Sequence, residues 1–380
     1  MERKKRVLVV TGSRAEYGLL RPVIKRIQKS DALTLELLVT GMHTLEKFGK
    51  TATEVQQEFP ECSIVPIEQN DSMLESLAKE IRGIESYVTA RTPDIILVLG
   101  DRDEALAGAL VGGHMKVAVA HIHGGDTLGY LVDEAIRHAI TKFAHLHFPA
   151  TATSARRIAQ LGEEKHRIHM FGSTAFDESE LKLARSRDEL AKEFGLNSRI
   201  DWLLVVQHPT PLETTPIAEQ VESTLHAVST YPAQKIIIYP NSDTGADVFI
   251  REIEKQRGDT NTIIVKTLPR DRYLGFLKEC AAMVGNSSSG IIEAGYFKRP
   301  VVNIGSRQKG RECGENVIHV AYDEQEIKKA LERALSQSFN KQILNATHPY
   351  GSGNAGQKIV EVLENLEISN ELFLKRFVAL

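Results

Sequence analysis

Met283-Val284-Gly285-Asn286-Ser287-Ser288-Ser289-Gly290, followed by the run Ile291 to Phe297, reads as a strand that ends in a small-residue turn and passes straight into a helix. Such a turn presents backbone N–H groups, hydroxyls and a helix start at one point, which suits a phosphate or diphosphate. A side chain larger than Ser would hold the anion away from the amides. Glu293 is expected one turn into the helix, facing whatever the phosphates carry. The same letters also fit a plain αβ turn of small residues.

Working outward, the same strand–turn–helix unit recurs from end to end. Apolar, β-branched strands are expected at 7–11, 35–40, 64–67, 95–99, 117–121 and 145–149, and again at 203–207, 236–239, 262–265, 283–285 and 301–304. They are apolar throughout rather than alternating, as when helices cover both faces of a parallel sheet. Helices are expected between them, for example at 17–29 and 73–90, where apolar residues recur at helical spacing. The fold expected is α/β, with two Rossmann-like doubly wound domains facing each other across a cleft. The boundary is placed near Gly172, giving domains 1–172 and 173–366. The last helix, from 355 to about 366, and the tail 367–380 are candidates to pack back on the first domain. The helix at 73–90 suits either a sheet cover or a dimer face.

At 380 residues the chain is too long for one ordinary core, which again suggests two domains. Charged residues at 26%, apolar ones at 42% and a net charge of −3 favour neither nucleic acid nor an anionic membrane as partner. Three dispersed cysteines, Cys62, Cys280 and Cys313, indicate neither a zinc site nor a disulfide framework. No secretory segment or long apolar span is read, so the protein is expected in the cytoplasm. Gly351 to Gly356 matches G-x-G-x-x-G without a preceding strand, and no P-loop occurs, so neither dinucleotide nor ATP chemistry is indicated.

The polar residues that carry chemistry fall at strand ends. After the first strand comes Thr11-Gly12-Ser13-Arg14-Ala15-Glu16, a glycine turn with an arginine that suits an anion or simply caps a helix. After the fourth comes Gly100-Asp101-Arg102-Asp103-Glu104, where Asp101 is either a rigidly held catalytic carboxylate or an N-cap. After the fifth come His121-Ile122-His123-Gly124-Gly125-Asp126 and then Asp133-Glu134 and Arg137-His138. This density of titratable groups favours proton transfer over a metal site, and no metal is expected. In the second half, Gln207-His208-Pro209 and Pro240-Asn241-Ser242-Asp243 end strands, and the basic loop Arg307-Gln308-Lys309-Gly310-Arg311 follows another. Its three positive charges support a diphosphate beside the Gly-Asn-Ser-Ser-Ser-Gly turn.

These segments together identify a resemblance. TGSRAEYGLLRP (11–22), LGDRDEALAGAL (99–110), HIHGGD (121–126), DEAIRHAITKFAHLHF (133–148), QHP (207–209), GNSSSGIIE (285–293) and VNIGSRQKGR (302–311) resemble the hydrolysing UDP-N-acetylglucosamine 2-epimerases of sialic acid synthesis over almost the whole length. The resemblance implies a GT-B-like fold and a homo-oligomer, with no cofactor. It implies UDP contacts from Arg14, Ala15, Arg102, His208, Asn241, Ser287, Ser288, Gly290, Glu293 and Arg307. The family's catalytic carboxylates match Asp101 and Asp133, with His208 as a further catalytic candidate. Non-hydrolysing relatives carry a glutamate where this chain has His123, so His123, Asp126 and Glu134 all stand as candidates for acid and base. The implied reaction converts UDP-N-acetylglucosamine to N-acetylmannosamine and UDP. A UDP-N,N'-diacetylbacillosamine or GDP-sugar substrate, or a non-hydrolysing epimerisation, would use the same motifs.

Overall fold

The computed structural model describes residues 3–46, 49–127, 132–177, 181–240, 244–351 and 353–379. Two parallel six-stranded sheets organise the chain. The first holds β1 (Lys5–Thr11), β2 (Leu33–Val39), β3 (Ser63–Ile64), β4 (Ile95–Leu99), β5 (Ala118–Ile122) and β6 (Leu146–Phe148), in the order β3-β2-β1-β4-β5-β6. The second holds β7 (Trp202–Val206), β8 (Gln234–Ile238), β9 (Thr262–Val265), β10 (Ala282–Gly285), β11 (Val301–Ile304) and β12 (Val317–Val320), in the order β12-β11-β10-β7-β8-β9. Read from its own first strand, the second order repeats the first. Both are the Rossmann arrangement, whose strand order reverses beside the first strand of each sheet.

The strands read as continuous apolar runs because each sheet is covered on both faces. In the first, Val7, Val9, Ile95 and Leu97 face one apolar cluster, and Leu8, Val10, Ile96 and Val98 face another. In the second, Leu203, Val205, Val284 and Val302 face one side, and Trp202, Leu204, Met283 and Val301 the other. The helix Met73–Arg91 is closed at its start by a capping box of Ser72 and Glu75. It covers the sheet through Ile84 and Val88, while Leu74 stays 78% exposed.

The chain divides into one unit of Met1–Asp177 with Tyr350–Leu380 and a second of Glu178–Pro349. The division therefore falls after Gly172. Residues beyond it still bond to the first unit: the Ser173 N–H donates to the Tyr350 carbonyl at 2.8 Å, and Asp177 pairs with Arg26 at 3.0 Å. The helix Ala355–Asn365, which the expected 173–366 domain included, sits on the first unit, where Ile359, Val360 and Leu363 share the core of Val7 and Ile24.

Two elements differ from expectation. β12 adds a sixth strand to a sheet read as having five, because its four residues include the polar His319 and lack a clear apolar run. The helix expected over 291–297 is instead Ser288–Ile292. Gly295 brings the chain so close to His348 that an added Cβ would lie 2.1 Å from that ring, and Lys298 turns in the left-handed region at φ 53°.

Candidate functional site

In the first unit the polar side chains gather at the carboxyl ends of β1, β4 and β5, beside the point of strand-order reversal. Ser13 caps the helix Arg14–Lys29 by accepting the Glu16 N–H at 3.4 Å. Arg14 is partly exposed and pairs with Glu54 at 3.2 Å, and Ala15 is exposed beside it. Arg102 is half-exposed and donates from Nε to Glu104 at 3.0 Å.

Asp101 follows Gly100 at the end of β4 and is ion-paired with Arg137, whose side chain is 3% exposed. Arg137 also donates to the Asp126 carbonyl at 2.9 Å and lies 3.5 Å from Glu134. Glu134 accepts the Thr127 hydroxyl at 2.6 Å and lies 3.2 Å from His138 Nε2. Asp133, half-buried in the first turn of the helix Val132–Phe143, acts electrostatically on Arg102 and Asp103. Asp101, Asp133, Glu134, Arg102 and Arg137 therefore form one charged array. No role for Arg137 follows from the sequence alone. Its signal was the spacing of Glu134 and Arg137, three residues apart on one helix face.

His121 is fully buried, and its Nε2 lies 2.7 Å from the Gly100 carbonyl. Burial pushes its pKa down to about 3, so the ring is neutral and Nε2–H is the donor that holds the Asp101 turn. His123 is buried with φ 60°, a conformation that costs a non-glycine residue energy and concentrates at functional sites. Its ring reaches Ser173 Oγ at 3.2 Å and Asp126 at 4.0 Å. Asp126 accepts the Ser154 hydroxyl at 2.6 Å and is itself buried.

In the second unit the corresponding ends of β7 and β10 carry further candidate residues. Gly285 has φ 130°, and an added Cβ would lie 2.1 Å from the Val206 carbonyl oxygen of β7. Fully buried Asn286 clamps the next strand end: its Oδ1 accepts the His208 N–H at 2.7 Å and its Nδ2 donates to the His208 carbonyl at 2.8 Å. Ser287 caps the short helix, Ser288 is half-exposed, and Gly290 is buried against Val301. With only five residues this helix has little dipole, so the turn's N–H groups and hydroxyls must supply the donors.

The basic loop folds onto the same turn. Gln308 Nε2 and Arg307 Nη1 donate to the Asn286 carbonyl at 2.9 and 3.4 Å. Glu293 is buried and paired with Arg270 at 2.5 Å, an arginine the sequence reading did not single out. Asn241 lies outside the described residues. Among the described residues no group of three His, Cys, Asp or Glu side chains is placed to hold a metal, and no helix is long and apolar enough to cross a membrane.

A family model described as UDP-N-acetylglucosamine 2-epimerase matches residues 25–364. The UDP-N,N'-diacetylbacillosamine 2-epimerase (hydrolyzing) of Legionella pneumophila is 35% identical over 98% of this chain and 98% of that one. The UDP-N-acetylglucosamine 2-epimerase of Neisseria meningitidis is 32% identical over 99% of both, and the Escherichia coli polysialic acid biosynthesis protein P7 is 31% identical over 98% and 97%. Among solved structures, the Neisseria meningitidis enzyme bound to UDP-GlcNAc aligns with TM-score 0.81 at 20% identity over 94% of this chain and 99% of that one, a likeness of fold. With the family match running through both units and these relatives aligned along their full lengths, the chain belongs to the UDP-N-acetylglucosamine 2-epimerase family.

Proposed function

We propose that this protein is a hydrolysing 2-epimerase that converts UDP-N-acetylglucosamine into N-acetylmannosamine and UDP. The observation that carries the reading is the array of Asp101, Asp133, Glu134 and Arg137 at the strand ends of the first unit, beside Arg102. Binding alone has no use for so many carboxylates in one place. Relatives named as hydrolysing enzymes, from Legionella pneumophila and Campylobacter jejuni, align over nearly the whole chain and support the hydrolytic outcome.

The C2 proton of the sugar is barely acidic, and departure of the diphosphate from C1 makes its removal feasible. Breaking C1–O and C2–H together forms the C1=C2 bond of a 2-acetamidoglucal. Water then adds at C1 while a proton returns to C2 on the other face. Arg14, Arg102, Arg307 and the Ser287–Gly290 turn supply positive charge and donors to the leaving diphosphate, the main electrostatic contribution. Ala15, His208, Asn241 and Glu293 complete the nucleotide contacts. Asp101, paired with Arg137, and Asp133 carry the two proton transfers, and His123, Asp126, Glu134 and His208 support them.

The test is an NMR time course with UDP-N-acetylglucosamine in D₂O. Free UDP and N-acetylmannosamine deuterated at C2 are the expected products. A UDP-linked epimer would show the non-hydrolysing reaction instead. An intact substrate, with turnover of UDP-N,N'-diacetylbacillosamine, would assign the substrate named for the Legionella pneumophila relative.

A further inference from the structure

Behind the first-unit turn lie three buried carboxyls that the proposed reaction does not use. Glu16, Glu80 and Glu104 are 5%, 1% and 2% exposed. They come from three helices, Arg14–Lys29, Met73–Arg91 and Asp103–Met115. The Glu104 carboxyl rests on Gly12, where an added Cβ would lie 2.1 Å from its carboxyl carbon. Its Oε1 accepts the Arg102 Nε–H at 3.0 Å, and Arg102 Nη2 lies 3.1 Å from Met42 Sδ.

The other two carboxyls are each half satisfied. Glu16 Oε2 accepts the Gly12 N–H at 2.8 Å, and Glu80 Oε1 accepts the Thr40 hydroxyl at 3.4 Å. Glu16 Oε1 and Glu80 Oε2 are buried with no hydrogen-bond partner among the described residues. A carboxyl in that state, beside another carboxylate, retains its proton. Burial first, and then the charge of Glu104, push Glu16 well above the ordinary carboxylate range and Glu80 up to about 8. Other charged or titratable groups that act on this cluster among the described residues include Arg14, Asp103, Asp133 and His43, the last neutral because burial lowers it to about 4. Of the three buried carboxyls, Glu104 is the one that accepts a hydrogen bond from Arg102.

We propose that Glu104 is a positioning residue for the diphosphate: seated on Gly12, it anchors Arg102 through Nε and leaves Nη1 to a phosphate at the Ser13–Arg14 turn. This rests on the reading of the site as one for a nucleoside diphosphate sugar. It makes a prediction opposite in sign to charge alone. A carboxylate beside an anion seat weakens anion binding through its field, so its removal would tighten binding unless the carboxylate does something else.

Calorimetric titration of the full-length protein with UDP at pH 7.5 separates the two. Glu104→Leu is expected to weaken UDP binding roughly tenfold, the scale of one hydrogen bond to a charged group. Glu104→Gln, which keeps the acceptor oxygen, stays within about threefold of the parent. The double variant with Arg102→Leu binds no more weakly than Arg102→Leu alone, because both changes remove one device. Equal or tighter binding by Glu104→Leu, or losses that simply add, would overturn the proposal. Should Glu104→Leu fail to fold, Arg102→Lys decides. It keeps the charge without an Nε to anchor, so a tenfold loss supports anchoring and unchanged affinity overturns it. A parent protein that does not bind UDP at all sinks the nucleotide-sugar reading and this proposal with it. A parent that binds while Glu104→Leu binds equally well sinks the positioning role alone.

Discussion

Asp101 and Arg137 show what one buried ion pair contributes to a site. Arg137 is almost wholly inside the protein, so its charge must be met, and Asp101, Glu134 and the Asp126 carbonyl meet it. The pairing holds the Asp101 side chain in one orientation. Asp101→Asn is expected to lower turnover by roughly 10²- to 10⁴-fold with a much smaller change in UDP affinity. A loss of affinity at unchanged turnover would make Asp101 a binding residue instead. Glu80 gives a prediction on stability. Its carboxyl is held at about 8 by burial, against an ordinary value of 4.5 in the unfolded chain. As pH rises from about 4.5 to about 8, the unfolded chain loses this proton while the folded one keeps it, so folding weakens across that window. Glu80→Gln removes the penalty. Its gain in unfolding free energy, read by urea denaturation, should be small at pH 5 and reach about a few kcal/mol at pH 8. An equal gain at both values would show that Glu80 is not the titrating group.

The elements put these residues in place because a parallel strand delivers its last side chains to one edge of the sheet. β1 and β4 deliver Ser13 and Asp101, and β7 and β10 deliver His208 and Asn286. β10 runs beside β7 at Gly285, where no Cβ fits beneath the Val206 carbonyl. Gly285→Ala combines that collision with a backbone conformation closed to alanine. A cost of about 3 kcal/mol or more in chemical denaturation is expected, together with weaker UDP binding as Asn286 shifts. A variant of parental stability would show that the strand end has room to move. The helix after this turn has only five residues and little dipole, so the proposed phosphate seat depends on where Asn286 and Ser287 hold the turn.

At the scale of the molecule, the chain returns to its first unit after completing its second. Lys375, from the C-terminal segment, places its ammonium on the carbonyls of Thr141, Lys142 and Ala144 at 3.3, 2.8 and 2.6 Å, and on Glu163 at 2.7 Å. Those carbonyls end the helix that begins with Asp133 and Glu134, so a cation from the last residues caps a helix of the proposed active site. Phe377 lies against Gly162, and Arg167 holds the Leu372 carbonyl at 2.8 Å. Lys375→Met should destabilise the protein by roughly 3 kcal/mol, read as a lowered melting temperature. An unchanged melting temperature would show the segment to be dispensable.

The alternation of strands and helices and the polar residues that follow the buried strands were legible in the sequence. They depend on neighbours a few positions apart: runs of Val and Ile, glycine turns, and the polar residue that follows a buried strand. β12 escaped because four residues with a polar His319 leave little periodic signal. The partnership of Arg137 with Asp101, the seating of Glu104 on Gly12 and the pair of Glu293 with Arg270 were decided by tertiary structure alone, which also settled that 355–365 belongs to the first unit. The physical reason is common to them. Strand order determines which ends lie side by side, and a buried charge then takes whatever partner that order brings within reach.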